Sequence, residues 1–333
     1  MSKMFFFKLV FAALLFSPQM ALAQFSQQGP KLVGIGATGP AEQGSSGALS
    51  SDGNTAISGG PGDNGNTGAV WFYTRSNGVW NQQGFSKVIG TGAIGAAFQG
   101  YSVSVSSDGN TAIVGGYGDN GDTGAAWVYT RSGGVWTQQG SKLVGTGAVG
   151  GARQGISISL SSDGNTAIVG GYLDDGRTGA AWVFTRSGGV WTQQGSKLVG
   201  TGAVGTASQG VSVSLSFDTA IVGGHLDNNG MGAAWVFTRS GGVWTQQGSK
   251  LVGTGATGPA SQGIRVALSS DVNTAIVGGF HDNGSTGAAW VYVTPALPPS
   301  KDDCKDEGWK SFTGPPGPFK NQGQCVSFFA HQK

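Results

Sequence analysis

Residues 99–150 read QGYSVSVSSDGNTAIVGGYGDNGDTGAAWVYTRSGGVWTQQGSKLVGTGAVG. The run SVSVS (102–106) alternates strictly, and TAIVGG (111–116) and AAWVYTR (125–131) are rich in β-branched and aromatic residues. VWTQQGSKLVG (135–145) follows after a Ser-Gly-Gly break. Such runs, bounded by Gly, Asp, Asn and Ser, are the pattern of strands rather than helices. Ser-Asp-Gly-Asn (107–110) turns the chain between the first two strands, and Ser-Gly-Gly (132–134) between the last two. The stretch therefore parses as four antiparallel strands, A to D.

The same stretch recurs. The tryptophan of strand C returns at Trp71, Trp127, Trp182, Trp235 and Trp290, at intervals of 56, 55, 53 and 55 residues. Four strands per unit of this length is the signature of a propeller blade. A solenoid of hairpins is the second choice, because no capping units are visible. The ends of the array add a constraint. Residues 24–34, QFSQQGPKLVG, match strand D with Phe25 in place of the tryptophan, whereas the last unit stops at strand C, AAWVYV (288–293). Pairing the first D with the last A-B-C predicts a five-bladed β-propeller, all-β, its ring closed by the N-terminal strand. Closure removes two exposed sheet edges.

Strands B to D, as in TAIVGGYLDDGRTGAAWVFTRSGGVWTQQGSKL (166–198), resemble the FG-GAP type of propeller repeat of integrin heads and many secreted bacterial proteins. They are most similar to its bacterial subgroup, in which a bare hairpin joins the first two strands. The resemblance covers residues 24–294. This chain departs from the family at two points: Gln-Gly stands where the family has Phe-Gly, at Gln43, Gln99, Gln154, Gln209 and Gln262, and Gly-Gly stands where it has Gly-Ala-Pro. The family's calcium loop lies between the first two strands. Here that place holds only SSDGN or its equivalents, so the resemblance brings no calcium site with it.

The B–C loop needs its own test, because DNGDTG (119–124) looks like a calcium loop by itself. Its equivalents are DNGNTG, DDGRTG, DNNGMG and DNGSTG. The first Asp recurs as Asp63, Asp119, Asp174, Asp227 and Asp282, but the fourth position is Asn66, Asp122, Arg177, Gly230 and Ser285. Calcium wants six to eight oxygens with acids at alternate positions and a late bidentate carboxylate. Arg or Gly cannot be shared ligands, so the loop reads as an Asp-Asn-Gly turn. Asp119 with Asp122 is the best candidate pair should any unit bind calcium; no cofactor is expected. His225 and His281, in the same loop of neighbouring units, lack the third and fourth ligands of a metal site.

Catalysis is not expected. Glu42 and Glu307 are the only glutamates, and the repeated aspartates lie in like environments, whereas acid and base roles need unlike ones. The glycine runs of GTGAVG precede no helix and are not nucleotide fingerprints. In alternating strands the B–C and D–A loops share one face. That face gathers the five aspartates with the varying residues Pro61, Tyr117, Tyr172, His225 and Phe280. Variable loops on a rigid frame are where recognition occurs. The expected ligand-binding residues are therefore Asp63, Asp119, Asp174, Asp227, Asp282, Tyr117, Tyr172, His225 and Phe280. The tryptophans of strands C and D are expected to pack between blades, and the repeated arginines (Arg75, Arg131, Arg186, Arg239) to keep outer strands soluble.

The two ends read differently. Residues 1–23 carry Lys3 and Lys8, an apolar run and Ala21-Leu22-Ala23, the pattern of a signal peptide cleaved between Ala23 and Gln24. No other segment is apolar enough to span a membrane. Without those two lysines the chain carries 17 basic and 17 acidic residues, a balance that gives no general pull on nucleic acid. After a proline-rich linker (295–300), residues 301–333 contain the only cysteines, Cys304 and Cys325. In an exported protein these should form one disulfide, contributing about 3 kcal/mol in the chain-entropy model. This tail resembles a short two-cysteine segment ending diverse secreted bacterial proteins. The expectation is a monomeric, exported, non-enzymatic scaffold, secreted or in the cell envelope, that binds or adheres to an extracellular protein or carbohydrate. The alternative is a lectin-like or glycan-degrading propeller using the same loop face.

Overall fold

A computed structural model describes residues 25–294, 304, 305, 307, 310 and 320–330. The expected signal peptide, its cleavage point at Ala23 and Gln24, and the linker lie outside the described residues. The chain falls into two units, residues 1–31 and 32–333. Of the first, residues 25–31 are described and carry neither strand nor helix; the Gln27 side chain donates to the Gly29 carbonyl at 2.8 Å.

The second unit holds five antiparallel sheets. The first comprises β1 (Ser46–Leu49), β2 (Thr55–Gly60), β3 (Ala69–Ser76) and β4 (Val79–Gln82), and the second β5 (Ser102–Val105), β6 (Thr111–Gly116), β7 (Ala125–Ser132) and β8 (Val135–Gln138). The third comprises β9 (Ser157–Leu160), β10 (Thr166–Gly171), β11 (Ala180–Ser187) and β12 (Val190–Gln193), and the fourth β13 (Gln209–Ser216), β14 (Thr219–Gly224), β15 (Ala233–Ser240) and β16 (Val243–Gln246). The fifth has three strands only, β17 (Arg265–Leu268), β18 (Thr274–Gly279) and β19 (Ala288–Val293). In each sheet, strands neighbour one another in chain order.

Strand D is shorter than the alternation suggests. β8 ends at Gln138, because the Gly140-Ser141 step bulges out of the ladder before Leu143 returns to exchange two backbone bonds with Ala126 (3.0 and 2.7 Å). The expected turn between strands B and C is a four-residue helical turn, Asp119–Asp122. Asn120 and Gly121 sit within it at φ of 50° and 61°, a conformation that Asn and Gly tolerate best.

The core lies between consecutive sheets. Ile113 and Val128 of the second sheet meet Ile158, Leu160, Val169 and Trp182 of the third in one buried cluster, and the next junction repeats it. Trp71, Trp127, Trp182 and Trp235 are fully buried, as expected for strand C. Each indole N–H donates to a backbone carbonyl, as Trp127 does to Thr91 at 2.9 Å, so burial leaves no orphan donor.

Junctions are also stapled by polar groups. The innermost strands β1, β5, β9, β13 and β17 pack one beside the next. The serines of their alternating pattern face the following strand: Ser104 Oγ accepts from the Leu160 amide at 3.1 Å, Ser159 from Leu215 at 3.1 Å and Ser214 from Leu268 at 3.1 Å. Gly124 bridges to Gln154 of the next unit, and Gly68, Gly179 and Gly232 repeat this with Gln99, Gln209 and Gln262. A Cβ on Gly124 would lie 2.1 Å from the Gln154 carbonyl oxygen, and Gly68, Gly179 and Gly232 are as tightly faced, which explains the glycine that closes the first four B–C loops. Four junctions carry this bridge. Among the described residues no equivalent bridge joins Gly287 to Gln43, so closure from the fifth sheet back to the first is not seen.

In the C-terminal segment, Cys304 and Cys325 form the expected disulfide, and Cys325 lies in the helix Gln322–Ala330. Among the described residues no helix is long and apolar enough to cross a membrane.

Candidate functional site

The recurring aspartate is the fixed point of the loop face. Asp119, fully buried, accepts the Ile94 amide at 2.8 Å on one carboxylate oxygen and the Lys142 ammonium at 2.5 Å on the other. Asp174 does the same with Val149 and Lys197, and Asp227 with Val204 and Lys250. Asp63 takes the Thr38 amide and Lys87. The lysine comes from just beyond strand D of the same unit, the amide from the D–A connector that precedes that unit. The carboxylate thus ties three segments together beneath the surface, each of its oxygens already accepting a hydrogen bond. Asp282 accepts the Thr257 amide at 2.7 Å, but it is only half-buried and, among the described residues, no lysine pairs with it. Asp122 pairs with Arg153 at 3.1 Å, so both members of the candidate calcium pair already hold a cationic side chain. Among the described residues no cluster of three or more potential metal ligands occurs.

The varying residues have a different setting. A cavity of about 920 Å³ is lined by strand A residues from all five sheets, including Ser46, Ser102, Ser157, Ser212 and Arg265. Pro61, Tyr117, Tyr172 and His225 stand on its wall. Phe280 is not among the lining residues; it lies half-exposed with its ring 3.8 Å from that of His281.

The wall has two chemically distinct sectors. In one, the Tyr117 ring stacks on Phe98 (5.0 Å, 10° between planes) while the Arg153 guanidinium lies over it at 5.5 Å. Arg153 also donates to the Tyr172 hydroxyl at 2.9 Å and to Asp122. Tyr117 is therefore already engaged by an aromatic ring and a guanidinium. Burial, with Tyr101 nearby, raises its phenol above the usual range. Tyr101 packs edge-on against Tyr117 at 4.7 Å and remains 41% exposed on the cavity wall. In the other sector, burial lowers the His225 pKa, and the charges of Arg177, Arg265 and His281 lower it further. Among the described residues its buried Nδ1 finds no hydrogen-bond partner.

Sequence reading passed over Tyr101, Arg153, Arg265 and Glu42, all placed at the cavity or against its wall. A signal was present: the position before Gln-Gly is Glu42, Phe98, Arg153, Ser208 and Ser261, as variable as the position that was chosen. All five hold positive φ, between 54° and 57°, which turns their side chains out of the strand path. The Gln-Gly glutamine also has a role that sequence did not reveal. Gln99 accepts the Gly90 amide at 2.5 Å and donates to the Gly90 carbonyl at 3.0 Å, which pins the D–A connector, and each unit repeats this.

The opposite face is built as a set of clamps. Arg131 donates to the Asn110 side chain at 3.0 Å and lies over Trp136 at 5.6 Å. Trp136 stacks on Phe72 of the first sheet at 4.1 Å and donates to Gln83 at 2.7 Å. These arginines do more than keep an edge soluble; each joins a turn to the outer strand. Where the fourth unit has Asp218 in place of Asn, Arg239 makes an ion pair with it at 2.5 Å.

The chain matches no protein-family model, and no curated protein is significantly similar to it.

Proposed function

We propose that this chain is an exported five-bladed β-propeller of the FG-GAP type, its ring closed by the N-terminal strand. On this reading it acts as a monomeric, non-enzymatic scaffold for binding or adhesion at the cell surface or outside the cell. The observation that carries it is the single cavity lined by the innermost strands of all five sheets, with its most varied residues on the wall and an unvarying frame behind them. Such concave sites on a rigid frame are where ligands are taken. Binding is favoured over hydrolysis because Glu42 is the one carboxylate among the lining residues, and glycoside hydrolysis uses two. The disulfide fits an oxidising compartment outside the cytosol.

A carbohydrate ligand is the second reading, favoured by Tyr101, whose ring packs edge-on against Tyr117 yet stays 41% exposed on the wall beside polar strand residues. Two experiments separate the readings. Capture from envelope extracts with Arg265→Glu as control should return a specific protein partner, lost in the variant. A glycan array probed with wild type and Tyr101→Ala should stay blank under the first reading and give a Tyr101-dependent signal under the second. Turnover of any polysaccharide that survives purification would overturn the non-enzymatic assignment.

A further inference from the structure

Between the second and third sheets, three of the varied positions satisfy one another. Asp122, fourth in its loop, pairs with Arg153 at 3.1 Å, and Arg153 donates to the Tyr172 hydroxyl at 2.9 Å. The backbone brings the same three positions together between the third and fourth sheets. There the Ser208 amide donates to the Arg177 carbonyl at 2.7 Å, as the Arg153 amide does to the Asp122 carbonyl at 2.8 Å. The side chains, however, are now those of Arg177, Ser208 and His225. A cation replaces the acid, a short hydroxyl the long guanidinium, and an imidazole the phenol.

This exchange leaves polar groups unmatched. Among the described residues, Ser208 Oγ and His225 Nδ1 are buried without a hydrogen-bond partner, and Ser208 as a whole is fully buried. Buried polar atoms are nearly always paired, so two at one junction call for a reason. Ser208 holds φ of 54°, against 57° for Arg153 and 55° for Phe98. In those two units the side chain at this position meets the residue that ends strand B, Arg153 by its bond to Tyr172 and Phe98 by stacking on Tyr117 at 5.0 Å. The same backbone directs the Ser208 hydroxyl toward the His225 side, where serine ends well short of a guanidinium's reach.

The charge here is one-sided. Arg177 and Arg265 are both exposed, and the Arg265 guanidinium donates to the Ile264 carbonyl at 2.8 Å. Among the described residues no carboxylate pairs with either arginine. After burial, the charges that bear on His225 are those of Arg177, Arg265 and His281, and all three lower its pKa. The imidazole is thus held neutral, a form that can donate one ring N–H. Glu42, the carboxylate on the cavity wall, precedes β1, whereas His225 and Arg265 belong to the fourth and fifth units. The third to fifth sheets add Ile156, Ile158, Val211 and Ile264 to the same wall. Cations beside an apolar wall suit a carboxylate carried between apolar side chains better than the hydroxyl-covered face of a sugar.

We propose that Arg177, Ser208, His225 and Arg265 form an anion pocket for the carboxylate of an acidic side chain on a peptide segment of the partner. The two guanidiniums supply charge, and Ser208 Oγ and His225 Nδ1 supply hydrogen bonds. The proposal rests on the binding-scaffold reading above and names the chemistry of its ligand. Between the second and third sheets the protein meets these demands with its own Asp122 and Arg153; between the third and fourth the partner's acid meets them.

The test uses the purified full-length protein and two peptides blocked at both ends, Leu-Glu-Leu and Leu-Gln-Leu. The chain has only three histidines, so the His225 ring signals can be followed singly by NMR. The Glu peptide should shift them saturably and raise the His225 pKa, and the Gln peptide should not. Arg177→Gln and Arg265→Gln should each weaken the Glu peptide by about tenfold, the loss of one charge-assisted contact. Arg177→Asp combined with Ser208→Arg rebuilds the Asp122–Arg153 pair and should abolish the response while melting no lower than wild type. Equal responses to the two peptides, silence toward both, or full binding by the rebuilt double variant would each overturn the pocket. A response to glucuronate with none to the Glu peptide would overturn the peptide assignment in favour of an acidic sugar. Capture from envelope extracts tells this failure from that of the scaffold reading. A partner held equally by wild type and Arg177→Gln removes only the pocket, whereas the absence of any partner together with silent peptides removes the reading itself.

Discussion

At the residue scale, the aspartate that opens each B–C loop is the most informative side chain. A buried carboxylate costs several kcal/mol unless its charge is matched and its lone pairs are filled. Lys142 and the Ile94 amide do both for Asp119. Removing one partner of such a pair leaves an uncompensated buried charge, at a cost of about 3–5 kcal/mol. Lys142→Met should therefore destabilise the protein by about that amount, while Asp119→Asn, which keeps an acceptor for the Ile94 amide, should cost less. Denaturant unfolding of the two variants checks the order, and equal losses would contradict this account. The position was legible in the sequence as a fixed Asp. Its partners were not, because Lys142 lies 23 residues away and the amide 25 residues back, with no local spacing to join them.

At the element scale, the four-strand unit was readable almost complete. Strand B is found at 111–116 as read, and strands A and C differ by one residue at an end. Strand D was overextended, since VWTQQGSKLVG has no residue that forbids a continuous strand. The break at Gln138 comes from the bulge that places Lys142 under the loop. The glycine ending each B–C loop is where local and tertiary demands meet. Gly124 sits at φ +76° with the next unit's backbone against its α-hydrogens. Gly124→Ala should combine backbone strain with a clash at Gln154 and lower Tm well beyond a surface Gly→Ala change such as Gly140→Ala, whose site is open. Parallel melting curves measure this, and equal shifts would show that the Gln154 contact is dispensable.

At the scale of the whole molecule, repetition makes small local terms add. Asp52 accepts hydrogen bonds from Ser50 and from the Asn54 amide and side chain, which hold its carboxyl down at about 2. Asp271 is lowered in the same way by Ser269 and Asn273. At Asp108 and Asp163 burial acts upward, yet the bonds from serine and asparagine outweigh it and the shift is downward. All four are easier to ionise in the fold than in the unfolded chain. Their contribution is complete above the ordinary Asp value of about 4 and is lost as pH falls toward 2. Melting temperature should accordingly drop between pH 4 and pH 2, and replacing all four by Asn should flatten that part of the profile. An unchanged slope in the quadruple variant would assign acid lability to other groups.

The sequence by itself determined the unit, its strand order and its turns, because strand alternation and Asp-Asn-Gly chemistry act over a few residues. It also determined the cysteine pair, there being only two. Only the tertiary structure decided what the repeated polar residues do. The strand A serines, the Gln-Gly glutamines and the loop aspartates all bond to segments brought near by neighbouring sheets. It likewise decided that Tyr117 is engaged by Phe98 and Arg153 while Tyr101 remains 41% exposed, since a ring's availability depends on which neighbours packing brings against it. The physical reason is range: a pattern fixes what a strand can bury, and only packing fixes which partner it meets.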